Sequence, residues 1–242
     1  MKVILLGSGY VGMELLRKWN TPKFIVTTTT TEKIPSLIKI PSVEQAVLCW
    51  GSDLSPLLPY IDLCDGIVVT VAPKGGNSYE DTYLKTAQSL RDLLRARGKP
   101  LHLIYTSSIS AFRKPVLLET EKIYLNGFNQ SVSTTILRLG GIYGPGRTIE
   151  ERAKRLSGMK MMRSANEYTN HIHLADIVKA IQFSFEHTLL GDYNLVNDAH
   201  PTLEELYSPL CNEPPTFLLG QPFSNEKIKQ VGFTFGHQEL FE

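Results

Sequence analysis

Cysteine is scarce in this chain. Cys49, Cys64 and Cys211 are the only three; they lie far apart and are odd in number, which argues against a disulfide framework and against a zinc site. They read as small buried or half-buried apolar residues. No apolar run is long enough to cross a bilayer. The chain opens on a strand-like segment, without the charged region and apolar core of a signal peptide. A cytoplasmic location with no membrane partner is therefore expected. Neither sign of charge dominates, since 25 Lys and Arg stand against 24 Asp and Glu. That removes the basic surface a nucleic acid would need, and any acidic tail. Internal repeats are lacking too. The 242 residues suit one large α/β domain, or one domain with a small appendage, and can bury a substantial core.

The most informative stretch comes first. Val3-Ile4-Leu5-Leu6 is a short apolar run, Gly7-Ser8-Gly9-Tyr10-Val11-Gly12 follows at once, and Met13 to Lys18 reads as helix. Strand, glycine turn and helix in this order form the setting in which G-x-G-x-x-G marks a dinucleotide site. Gly7 would allow the tight turn, Gly9 the approach of a pyrophosphate, and Gly12 the close packing of helix on strand. The N–H groups at the helix start would hold the phosphates. The alternative is a tight strand–helix turn with no ligand.

Strand-like and helix-like segments then alternate, which predicts a doubly wound parallel sheet with helices on both faces, a Rossmann α/β fold. Strands are expected at Lys23 to Thr28, Gln45 to Cys49, Gly66 to Val71, Leu101 to Thr106 and Val132 to Leu139. Helices are expected from Ser78 to Arg97 and from Leu117 to Phe128. Beyond Gly146 the alternation loosens, and Pro201, Pro209, Pro214, Pro215 and Pro222 break it. The expected division is a dinucleotide-binding domain over 1–146 and a small substrate-side lobe over 147–242. Elements of that lobe should return to the main sheet.

With the strands set out, the chain resembles the short-chain dehydrogenase/reductase superfamily, and most of all its extended or atypical NAD-dependent epimerase/dehydratase members. Four stretches carry the resemblance: the glycine loop, Ile104 to Phe112, Leu137 to Arg147, and Asn170 to Val178. By position, the resemblance makes Ser108 the catalytic serine, which bonds a substrate carbonyl or hydroxyl; otherwise it is a strand-end hydroxyl serving local backbone. Ser107 beside it is assigned to the cofactor. Leu139, Gly140, Gly141 and Ile142 match the stretch against the nicotinamide. Asp53, with Leu54, matches the acidic contact to the adenine amino group, or else caps a helix. Ala72 and Pro73 match the passage beside the cofactor ribose. Asp176 is expected to support its loop.

The second strand ends on Thr28, followed by Thr29 and Thr30, where a carboxylate normally pairs the ribose hydroxyls. Nothing there would repel a 2′-phosphate, and Lys33 follows shortly. This tilts the expectation to NADP over NAD, unless the threonines only favour strand.

One part of the pattern is missing. The family's acid/base is a tyrosine with a lysine four residues later, the lysine lowering the phenol's pKa. Here Tyr124 is followed four later by Phe128, and the connection from Phe112 to Leu117 is short. Arg113 and Lys114 could supply a cation, although Pro115 argues against regular helix there. Tyr79, Tyr83, Tyr143, His171 and His173 are conceivable substitutes, or ordinary packing and capping residues. Neither histidine has a carboxylate or cysteine at ligand spacing, so no metal is expected. Two functions remain open: an oxidoreductase or epimerase on a small polar substrate, and a non-catalytic dinucleotide sensor or scaffold. A degenerate fold binding no nucleotide is a third. Relatives often pair through the helices after strands four and five; the second is shortened here, which leaves a homodimer open.

Overall fold

The computed structural model describes residues 1–73, 76, 78–157, 165–210, 223–237 and 240. Cys211, Pro214, Pro215 and Pro222 lie outside the described residues. Seven strands form the main sheet, in the order β3-β2-β1-β4-β5-β6-β9. They are β1 (Lys2–Leu6), β2 (Lys23–Thr28), β3 (Val43–Leu48), β4 (Gly66–Val69), β5 (Leu101–Ser108), β6 (Val132–Leu139) and β9 (Gly191–Leu195). Every pairing from β3 across to β5 is parallel. The order reverses next to β1, the switch point at which doubly wound sheets bind ligands beyond their carboxyl ends. Two further strands, β7 (Gly141–Tyr143) and β8 (His171–His173), pair separately and in parallel. Among the described residues no helix is long and apolar enough to cross a membrane.

The chain divides into two compact units, 1–138 with 178–193, and 139–177 with 194–242. The boundary is crossed three times, after residues 138, 177 and 193. In the first unit, Val3 to Leu6 are almost wholly buried, as a central strand covered on both faces requires. Around them lie Ile25, Val47, Ile67, Leu103 and Ile136, with Leu57 from below β3 and Leu90 from α4 (Lys85–Leu94). The second unit has its own smaller core, built on Tyr143, Ile149, Ala153, Leu203 and Leu206.

The helix after β5 departs from the sequence expectation. α5 runs Pro115–Asn126 and begins on its proline. Pro115 is no obstacle, because the first helical position has no intrahelical use for an N–H. Ahead of it the chain makes a 3-10 turn, Ile109–Arg113. The expected helix from Ser78 also differs: its first turn, Glu80–Leu84, is π-helical.

Inside α5, Glu121 is buried and meets Arg138 of β6 at 2.7 Å. Arg138 donates Nε and Nη2 to that carboxylate and Nη1 to Asp192 at 2.6 Å, and Ser107 Oγ donates to Glu121 at 2.6 Å. Removing one member strands a desolvated charge. Glu121→Ala should therefore lower stability by about 3–5 kcal/mol, and Arg138→Met with Glu121→Leu together by much less. Urea denaturation of the three chains checks this.

Candidate functional site

The glycine loop is held by hydroxyls from the strands on either side of β1. Gly7 N–H donates to Thr27 Oγ1 of β2 at 3.0 Å. Thr70, just past β4, donates its hydroxyl to the Gly7 carbonyl at 2.9 Å. Gly7 has φ +108°, a region that favours glycine. A Cβ on Gly12 would collide with the Gly7 carbonyl oxygen, whereas one on Gly9 would meet nothing within 4 Å. Gly12 thus serves packing, and Gly9 faces open space. Helix α1 (Tyr10–Lys18) starts there with Gly9 as its N-cap, no side-chain cap and no acid in its first turn. Such an end directs N–H groups and positive dipole outward. Within the loop Ser8 and Val11 are buried. Lys33 reaches back over it, its ammonium donating to the Ser8 carbonyl at 3.2 Å.

Other expected cofactor contacts vary in what their side chains already do. Thr28 is buried, and its hydroxyl is engaged with the Thr30 backbone, donating to the carbonyl at 3.2 Å and accepting from the N–H at 3.3 Å. Thr29 is exposed. Asp53 is exposed and accepts from Ser55 N–H at 3.0 Å, starting a 3-10 turn; that bond holds its carboxyl below the usual range. Leu54 turns its side chain into the core. Ala72 is exposed and Pro73 half-buried beyond the end of β4.

Ser107 is committed to Glu121, as described. Ser108 is half-buried and its Oγ accepts from Ser110 N–H at 3.1 Å, capping the 3-10 turn; its own proton remains to donate. Tyr124 is 1% exposed and stacks on Tyr105 with ring centroids 4.2 Å apart. Burial drives both phenols far above their ordinary pKa, so Tyr124 is a core residue and not an acid/base. Tyr83 is pushed up to about 12, chiefly by burial. Tyr79 is exposed, its ring 5.5 Å from that of Tyr83, and the Lys114 ammonium stands 4.2 Å from its centroid. That pairing of cation and phenol was not readable from spacing, because the two come from different elements.

In the second unit, Leu139 is buried, Gly140 N–H donates to Leu195 O at 3.0 Å, and Gly141 N–H to Asn170 O at 2.7 Å. A Cβ on Gly140 would stand 2.8 Å from the Asn170 oxygen. Gly141 and Ile142 are half-buried on β7. His171 is buried beside Tyr143, whose hydroxyl accepts from Asn197. His173 Nδ1 accepts from Ala175 N–H at 3.3 Å, at the start of α7 (Leu174–Glu186). Sequence spacing missed one grouping: His173, Asp176 and His237 bring their ligand atoms within 4.8 Å of one another. The two imidazoles stack at 3.8 Å, face to face and not edge-on toward a common point as shared ligands would be. Asp176 accepts from the backbone N–H of Gly236 and of His237, at 2.8 and 3.1 Å. It ties the C-terminal segment to α7.

The whole chain superimposes on solved structures of nucleotide-sugar enzymes. UDP-glucuronic acid 4-epimerase from Bacillus cereus, in complex with UDP-glucuronic acid and NAD, matches with a TM-score of 0.74 at 15% identity, covering 96% of this chain and 92% of that one. The chain shares the α/β fold of that epimerase. The same fold, with a TM-score of 0.74 at 17% identity and 99% and 95% coverage, occurs in a conserved protein of unknown function from Silicibacter pomeroyi DSS. By sequence, Protein YeeZ of Escherichia coli (strain K12) is 27% identical over 246 aligned residues, spanning 89% of this chain and 86% of that protein. No family profile matches.

Gly12→Val should cost about 1–3 kcal/mol by overpacking, while Gly9→Ala should move the melting temperature little; thermal unfolding of both separates the packing glycine from the open one. Burial raises the thiols of Cys49 and Cys64 from an ordinary value of 9.0 to about 11. Both should resist alkylation at pH 8 until urea is added, as read by peptide mass mapping. Above pH 9 the unfolded chain releases these protons more readily than the folded one. Stability should therefore fall between about pH 9 and pH 11.

Proposed function

We propose that the first unit binds a nicotinamide dinucleotide, NADP in preference to NAD, and that the chain is an oxidoreductase of the epimerase/dehydratase type acting on a small polar substrate. The observation that carries this reading is the glycine loop: Gly7 anchored from both sides, open space at Gly9, and an uncapped α1 directed at that space. These features fit a pyrophosphate, whose oxygens would accept hydrogen bonds from the α1 N–H groups. The Bacillus cereus epimerase, whose fold the chain shares, holds NAD. Preference for NADP rests on Lys33, in the 3-10 turn Thr31–Lys33 after β2, whose ammonium lies beside the Ser8 carbonyl, and on β2 itself, which bears no carboxylate. Thr28 has its hydroxyl in use, so Lys33 and exposed Thr29 are the groups to meet a 2′-phosphate.

The dinucleotide would supply hydride transfer. Ser108 would donate its hydroxyl proton to a substrate oxygen. Lys114 over Tyr79 is the cation–phenol pair to serve the proton transfer that Tyr124 is too buried to perform. Leu139 to Ile142 would border the nicotinamide, and the second unit would carry the substrate side.

Burial of Tyr124 also favours a second reading, a non-catalytic sensor of the cofactor's redox state. The two differ in outcome. As an enzyme, the chain turns over cofactor with a carbonyl substrate and loses about 100-fold or more on Ser108→Ala or Tyr79→Phe. As a sensor, it shows no turnover and binds oxidised and reduced forms with different affinity; equal affinities would leave nothing to sense.

A thermal-shift titration with NADP⁺, NADPH, NAD⁺ and NADH tests the shared claim. The melting temperature should rise with concentration, most for the phosphorylated pair, and Lys33→Ala should erase that difference while leaving the NAD response. No shift with any of the four at millimolar concentration would end both readings.

A further inference from the structure

Where α7 hands the chain to β9, the first unit holds a histidine whose surroundings keep it neutral. His102 of β5 stands opposite Gly66 of β4 and is buried. A Cβ on Gly66 would stand 2.3 Å from Phe185 Cε1, so the glycine leaves a slot that Phe185 of α7 fills. The Phe185 ring lies 5.1 Å from that of Trp19 and 5.1 Å from that of His102, edge to face in the second case. His102 Nε2 meets Thr135 Oγ1 of β6 at 2.8 Å, and that hydroxyl donates its proton to the Leu189 carbonyl, between α7 and β9. A hydroxyl has one proton to give. Nε2 therefore supplies the proton of its own bond, and Nδ1 is the bare nitrogen. Among the described residues, buried Nδ1 has no hydrogen-bond partner.

The turn secured by this chain of bonds is strained. Thr188 has φ +46°, a left-handed conformation that a β-branched residue rarely adopts and that glycine usually takes at a helix end. On either side of it, His187 N–H donates to Phe183 O at 3.0 Å and Leu189 N–H to Ser184 O at 3.1 Å. The bonds from His102 through Thr135 to Leu189 thus hold a conformation that the turn's own residue disfavours.

A proton on Nδ1 sets these features against one another. Both nitrogens of an imidazolium are donors, and the N–H gained at Nδ1 would meet no acceptor in a buried site, which is costly for a charged group. Burial accordingly holds the His102 pKa below its ordinary value, with the Leu189 carbonyl opposing, and no charged neighbour is among the causes. The ionisable groups on the surrounding elements are Asp65 ahead of β4, Lys18 at the end of α1, Arg138 and Asp192 on β6 and β9, and Lys179, Glu186 and His187 on and just after α7. Asp65 accepts from Lys2 N–H at 2.7 Å, Arg138 and Asp192 pair with each other, and His187 stacks on Phe183.

We infer that His102 is an acid-sensitive catch: on gaining a proton at Nδ1 it releases the turn at residues 187–190, in the segment 178–193 whose two ends both lead into the second unit. The catch is independent of the dinucleotide reading.

Amide hydrogen exchange of the full chain, followed by NMR and divided by the intrinsic rates, tests it. Released, the imidazole regains its ordinary pKa of 6.5. Opening of the turn should then grow by up to about tenfold for each pH unit below that value. Protection at His187 and Leu189 should fall accordingly while that of β1 and β4 holds. His102→Gln keeps a donor for Thr135 and cannot titrate, so its turn should be protected equally at every pH. His187 is exposed on the turn itself and is the competing titrant; His187→Gln should keep the pH response. Flat protection in the unaltered chain, the same response in His102→Gln, its loss in His187→Gln, or a parallel fall across β1 and β4 would each overturn the proposal. Should His102→Gln fail to fold, the imidazole's own NMR titration decides. A His102 that takes its proton with the turn amides unmoved overturns the catch, and one that takes it together with loss of their protection upholds it.

Discussion

The first unit depends on how β1 ends. At Gly7 the strand must stop, turn and hand over to α1 within three residues, and a backbone amide and carbonyl left behind there would be costly to bury. Thr27 accepts the amide proton and Thr70 donates to the carbonyl. Both hydroxyls come from strand ends that flank β1, so the turn is fixed by the sheet and not by the loop's own residues. Gly12 then lets α1 settle onto that turn. An open backbone surface beside Gly9 follows from this arrangement without any side chain being directed at a ligand.

The missing Tyr-x-x-x-Lys pair has a structural counterpart. With the connection after β5 reduced to one 3-10 turn, α5 begins at Pro115 and its inner face is given to the core. Tyr124 stacks on Tyr105, and Glu121 binds Arg138 and Ser107. α5 thus braces β5 against β6.

Much of this was legible in the sequence, and the limits are physical. Lys23–Thr28 and Val132–Leu139 agree with the expected strands to the residue, because β-branched runs bounded by turn residues leave little choice. Pro115 misled, since the same residue that breaks a helix interior suits its first position. The roles of Thr27 and Thr70 were hidden inside ordinary strand composition. His173, Asp176 and His237 meet only because the chain returns from far downstream, which no local spacing records.

The course of the chain bears on how the protein is made. α7 and β9 belong in large part to the first unit, yet they are encoded after residues 139–177 of the second. Phe185 of α7 lies against Trp19 and His102, and Arg138 waits for Asp192. On the ribosome, the first unit cannot complete its sheet until residue 193 has emerged, so β6 stays an open sheet edge from its own synthesis until then.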